Sequence, residues 1–125
     1  MTEQQPLTGS TPPVDLTEMK KTVRGNMEVI RHLVDHILVE YPEKLRQLRQ
    51  ELDKGDVVQV RAIAHGLKSS LASFGATQAK EFASALEISG AMGELAAAEK
   101  MLRRLEQEIE RIVAYFSDPC WQDKG

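Results

Sequence analysis

The sequence predicts an all-α protein, an antiparallel four-helix bundle in up-down-up-down order with an additional short N-terminal helix. Three observations carry this expectation. Between Pro42 and Pro119 the chain contains no proline, and over that stretch apolar residues recur at the three-and-four spacing of a helix instead of the alternation of a strand. Glycine and capping residues separate the periodic segments, so the connections are short enough to place successive long helices side by side. At 125 residues the chain can build one core but not two.

The elements follow in order. Residues 1–14 hold Pro6, Pro12 and Pro13 among Ser, Thr and Gly; with few apolar side chains to bury, they read as a flexible N-terminal tail. A short helix starts near Asp15, whose side chain can cap it, and ends before Gly25. Asn26 caps the next, with an apolar stripe of Met27, Ile30, Leu33, Val34, Ile37 and Tyr41. Pro42 removes a backbone donor, yet Leu45, Leu48 and Leu52 continue the stripe, which predicts one long bent helix or two in series, ending at Gly55. Asp56 caps a helix running to about Ser73, and Gly75 serves the following turn. Ala79, Phe82, Ala83 and Leu86 form the inner face of a fourth helix, broken by Ser89-Gly90-Ala91-Met92-Gly93. The last helix carries Leu95, Met101, Leu102, Leu105, Ile109, Ile112, Val113 and Phe116. The bundle spans residues 15–117, and residues 118–125 form a C-terminal tail.

Chemistry concentrates in the third long segment, Ala64-His65-Gly66-Leu67-Lys68-Ser69-Ser70-Leu71, closed by Phe74-Gly75-Ala76. At about 100° per residue, Val60, Ile63, Leu67, Leu71 and Phe74 fall roughly 160–240° from His65, directly opposite it. Arg61, Ala62, Lys68, Ser69 and Ala72 lie within about 60° of the histidine. His65 therefore faces water while the helix is anchored from behind. Gly66 costs roughly 1 kcal/mol relative to alanine in a helix interior, a poor choice unless something must approach the histidine. A neutral imidazole offers one ring nitrogen as a nucleophile near neutral pH. Lys68, one turn on, can supply a compact positive charge to a transferred anionic group. Ser69 can add a hydroxyl donor, or can bond back to the carbonyl four residues before it. Arg61 can serve as a docking contact or be an ordinary exposed arginine.

Composition excludes several classes. The formal charge is −3 with acidic and basic residues interspersed, which argues against nucleic acid as a partner. No apolar run approaches the roughly 18 residues that would cross a bilayer. Met1-Thr2-Glu3-Gln4-Gln5-Pro6 lacks the basic and apolar regions of a secretory signal, so the expected location is cytoplasmic. The single Cys120 has no partner for an internal disulfide and no nucleophile context. His32, His36 and Glu40 share a helical face at i, i+4, i+8, but no further His or Cys completes a site and no metal is expected there. There is no triad pattern, paired-carboxylate motif or cofactor loop, so no enzyme with its own active site is expected.

The histidine segment resembles the signature of histidine-containing phosphotransfer (HPt) domains, the intermediates of multistep two-component phosphorelays. The matching residues are Ala64, His65, Leu67, Lys68, Ser69, Ser70, Gly75 and Ala76. The departures are Leu71, where a small residue is usual, and Phe74, where Leu is usual; both lie on the apolar stripe and look like a repacked core. The resemblance continues into Leu86-Glu87 and covers roughly residues 15–117. It implies that His65 is the phosphoacceptor, supported by Lys68 and Ser69. It further implies that Glu87, where the family often has an acidic or amide side chain, orients the imidazole; the plain alternative is a solvated Glu87. Arg61, Ala62, Gly66 and Ala72 become the docking surface for a response-regulator receiver domain.

Phosphoryl transfer relies on positioning and on charge neutralisation, commonly by Mg²⁺. The sequence holds no obvious carboxylate cluster for that ion, so the resemblance expects it on the partner receiver, with no cofactor in this chain. The expected protein is a phosphoryl carrier without kinase activity, monomeric, serving receivers that include that of a hybrid sensor histidine kinase. It is either a freestanding shuttle or such a kinase's terminal module. The alternative is a helical adaptor that binds receivers or other signalling partners without accepting phosphate.

Overall fold

The computed structural model describes residues 12–123, which form helices and the turns between them. In order these are α1 (Thr17–Thr22), α2 (Met27–Lys54), α3 (Val57–Ser73), α4 (Thr77–Ala91), α5 (Leu95–Ser117) and a closing 3₁₀ turn, Pro119–Asp123. Two or three residues separate each pair of long helices, so neighbours run antiparallel. α3 packs on α4, α4 on α5, and α2 on both α3 and α5, which closes the four long helices into a ring; α1 leans on α2. Ile30, Tyr41, Leu48, Leu71, Leu86, Leu102 and Leu105 are among the fully buried side chains at its centre. No helix among the described residues is long and apolar enough to cross a membrane.

The caps account for two of the starts. Asn26 accepts from the backbone N–H groups of Glu28 and Val29, and Asp56 from that of Gln59, each satisfying donors that a helix start leaves open. Asp15 acts slightly differently from expectation. Its carboxylate accepts from the N–H of Thr17, at 3.0 Å, and from the Thr17 hydroxyl, at 2.6 Å, so α1 begins two residues later, at Thr17.

Of the two outcomes open at Pro42, the chain takes the single helix: α2 runs through it for 28 residues, about 42 Å at 1.5 Å per residue. Pro42 is exposed, where water can replace the missing donor. Arg49 then ties α2 to α5, reaching Glu99 at 2.5 Å and Glu106 at 3.3 Å.

Three expectations are corrected. The break after the fourth helix does not begin at Ser89: Ser89 and Gly90 are buried inside α4, which ends at Ala91. Gly90 is spent on helix contact, since a Cβ there would meet Arg61 and Val60 of α3. Leu95 is the first residue of α5 and is 45% exposed, off the buried stripe. Packing also reaches past both expected ends of the bundle. The flexible tail expected over residues 1–14 lies outside the described residues as far as residue 11, but Val14 is buried, and Asp15 N–H donates to the carbonyl of Gly75 at 3.1 Å. In the expected C-terminal tail, Trp121 is buried and stacks edge-on against Phe116 at 5.1 Å, which in turn meets Phe74 at 6.0 Å. An indole has enough apolar area to hold a short tail segment down.

Gly75 joins these ends to the bundle. It has φ +64°, and a Cβ there would lie 1.9 Å from the Asp15 carbonyl oxygen. Only glycine allows both the left-handed turn and the close approach.

Candidate functional site

α3 presents its histidine as the wheel requires. Val60, Leu67, Leu71 and Phe74 are buried, and the opposite side chain, His65, is 63% exposed. Leu71 and Phe74, the departures from the family pattern, are both core residues. On α4, fully buried Leu86 anchors the turn that carries Glu87, and Glu87 reaches across to α3.

One carboxylate joins two of the candidate residues, His65 and Lys68. Glu87 Oε2 lies 3.1 Å from His65 Nδ1, and Glu87 Oε1 lies 2.9 Å from Lys68 Nζ. Lys68, foremost, and then His65 hold the Glu87 carboxyl below the ordinary carboxylate range, against the opposing effect of partial burial. An ionised carboxylate can only accept, so in the neutral ring Nδ1 carries the hydrogen and Nε2 carries the lone pair. The nitrogen with the available lone pair is then the one turned away from Glu87. Lys68 is not a free surface cation: its side chain is 29% exposed and committed to Glu87.

The remaining candidates divide. Ser69 takes the second of its two options, its hydroxyl donating to the His65 carbonyl at 3.4 Å, so it is turned back on the helix. Ala62 and Gly66 border a shallow groove between α2 and α3, with Glu40 and Lys44 on its α2 side. A Cβ on Gly66 would meet nothing within 4 Å. The glycine thus lowers the surface and serves no packing need among the described residues. Ala72 is exposed and borders a different groove, with Val23, Leu33 and Phe74 among its walls. Arg61 is exposed and has no ion pair or hydrogen-bond partner among the described residues. Gly75 lies at the α3–α4 turn, a structural place.

Sequence reasoning missed three features. Tyr41, counted only as apolar stripe, is fully buried and shares a hydrogen bond of 2.8 Å with Ser70, linking α2 to the histidine helix. Burial pushes its phenol up to about 12. A hydroxyl at a buried stripe position, with serines on the neighbouring helix, was the available signal. Glu40 and Lys44 were not placed beside Gly66, because no spacing in one segment reveals a neighbour in another. Val58, 68% exposed, sits seven residues before His65 and hence about 20° from it on the wheel. Elsewhere, His36 Nε2 lies 3.5 Å from Glu40 Oε1, and among the described residues no group of three or more His, Cys, Asp or Glu side chains could hold a metal ion.

The family model described as "Hpt domain" matches residues 32–115, and the chain belongs to that family of phosphotransfer carriers. Among solved structures it is similar to histidine-containing phosphotransfer protein B (HptB) from Pseudomonas aeruginosa PAO1. The TM-score is 0.79 and the identity 24%, over 92% of this chain and 98% of that one. At this identity the likeness is one of fold. No curated protein matches the chain in sequence.

Proposed function

We propose that this chain is a phosphorelay intermediate that accepts a phosphoryl group on His65 from the phosphorylated aspartate of a receiver domain and passes it to another receiver. The observation that carries the reading is the 3.1 Å contact between Glu87 and Nδ1 of an exposed His65. It leaves Nε2 as the outward lone pair. In the forward step Nε2 bonds to phosphorus as the P–O bond to the aspartate breaks, and the carboxylate leaves; the donor step is the reverse. The phosphorylated ring, still protonated at Nδ1, carries positive charge that the Glu87 carboxylate offsets.

Lys68 supports the phosphoryl oxygens as a point charge within the same cluster. Ser69 is a weaker candidate, since its hydroxyl must first leave the His65 carbonyl. Arg61, Ala62, Gly66 and Ala72 form the docking surface, and residues 15–117, with Val14 and Trp121 packed against them, the phosphotransfer module. The receiver brings the Mg²⁺ that neutralises charge in the transfer, and this chain acts as carrier, not kinase. Incubation with a receiver labelled on its aspartate tests the reading: label should appear on the wild type and not on His65→Gln. Label that never reaches the wild type, or that persists on His65→Gln, overturns it.

A further inference from the structure

Gly90 is the position in α4 that helix formation explains least. It is buried in the last turn of α4, one residue before the helix ends, and it is not among the glycines of positive φ, so no left-handed turn asks for a glycine there. A Cβ at Gly90 would stand 3.3 Å from Cγ of Arg61 and 3.4 Å from Cγ1 of Val60. Its bare backbone is therefore the seat on which the first carbons of the Arg61 side chain lie. Gly66 offers the contrast, since a Cβ there meets nothing.

The charge at the end of that stem is unspent. Lys68 is committed to Glu87, whereas exposed Arg61 has no partner among the described residues. Arg61 is four residues before His65, and so about 40° from it on the same face. Arginine can bury its carbon stem while its head stays in water, and a stem already packed loses less rotamer freedom when the head finds an anion. An acyl phosphate with its divalent cation needs carboxylates around it, so the surface that brings one to His65 is acidic.

We infer that Gly90 is a positioning residue for docking: it seats the Arg61 stem so that the guanidinium stands ready on the His65 face for the acidic rim of the incoming phosphorylation site. This rests on the phosphorelay reading above. The consequence falls on encounter, not on the chemical step, because a rim cation acts chiefly on association and is screened by salt.

The test is a double-mutant cycle on the full chain with Arg61→Ala, Gly90→Ala and the pair, reading both phosphotransfer and Tm. At low salt each single change should lower kcat/KM for a phosphorylated receiver by about three- to tenfold, and the pair should lose no more than either alone. The saturating rate should hold, and all three variants should show a weaker salt dependence than the wild type. Multiplying losses overturn the inference, as does wild-type kcat/KM and salt dependence in either single variant. The Tm arm needs no phosphate. Gly90→Ala should raise Tm more in the Arg61→Ala background, where Cγ is gone, than in the wild type; equal shifts in the two backgrounds remove the seat. A wild type that takes no phosphate defeats the phosphorelay reading, while the Tm arm still decides the seat.

Discussion

Replacing Gly66 with alanine should make the protein more stable and a worse phosphotransfer partner. The added methyl meets no atom within 4 Å, so neither a clash nor a filled cavity enters, and the change in stability is that of helix propensity alone. That is a gain of about 0.8–1 kcal/mol, or roughly 3–6 °C in Tm for a domain of this size. Toward a partner the same methyl is an obstacle beside His65, and a displacement of about 1 Å in a reacting pair can cost on the order of a hundredfold in rate. Differential scanning calorimetry and the rate of transfer from a phosphorylated receiver check the two halves. A Tm that stays level or falls refutes the open-surface account of Gly66. A higher Tm with unchanged transfer refutes its place in the docking surface.

Four further outcomes follow from the geometry. Because Lys68 and His65 hold Glu87 below its ordinary value of 4.5, its contribution to stability is present above that pH and is lost as pH falls through the lower folded value. In Glu87→Gln, acid unfolding followed by circular dichroism should lose part of its pH dependence below about pH 4.5, and a wild-type profile there would contradict the cluster. Tyr41→Phe should cost about 0.5–1.5 kcal/mol by denaturant titration, the net worth of one hydrogen bond. In the wild type, Tyr41 should stay protonated through its ordinary value of 10.0 and ionise near 12. The stability it contributes is whole below 10 and is lost as pH rises toward 12; a tyrosinate absorbance step at Tyr41 near 10 would contradict its burial. Gly75→Ala should destabilise by more than about 1 kcal/mol, since it combines a left-handed φ with a Cβ driven onto the Asp15 carbonyl. An unchanged Tm would refute the close packing of the N-terminal segment on that turn.

What was legible in the sequence was what a single helix can encode. The exposure of His65 follows from the phase of Val60, Leu67 and Leu71 behind it, and Asn26 and Asp56 announce their helices through local capping chemistry. Pairing across helices was less legible. Glu87 was reached through family resemblance, because periodicity in α4 says nothing about which residue of α3 it meets. Tyr41–Ser70 and Arg61 on Gly90 had no such guide. The misplaced boundary at Ser89-Gly90 has the same origin: small residues signal both a break and a close helix contact, and only the neighbour decides which. Val14 and Trp121 were assigned to tails because proline-rich or short segments look unable to fold alone, although a single apolar side chain can dock on a core already built.

The most direct measurement is the site of phosphate itself. Nitrogen NMR of the protein after transfer from a phosphorylated receiver should show phosphorus coupled to Nε2 of His65, with Nδ1 still carrying its hydrogen toward Glu87. Phosphorus on Nδ1, on another residue, or on none would contradict the account.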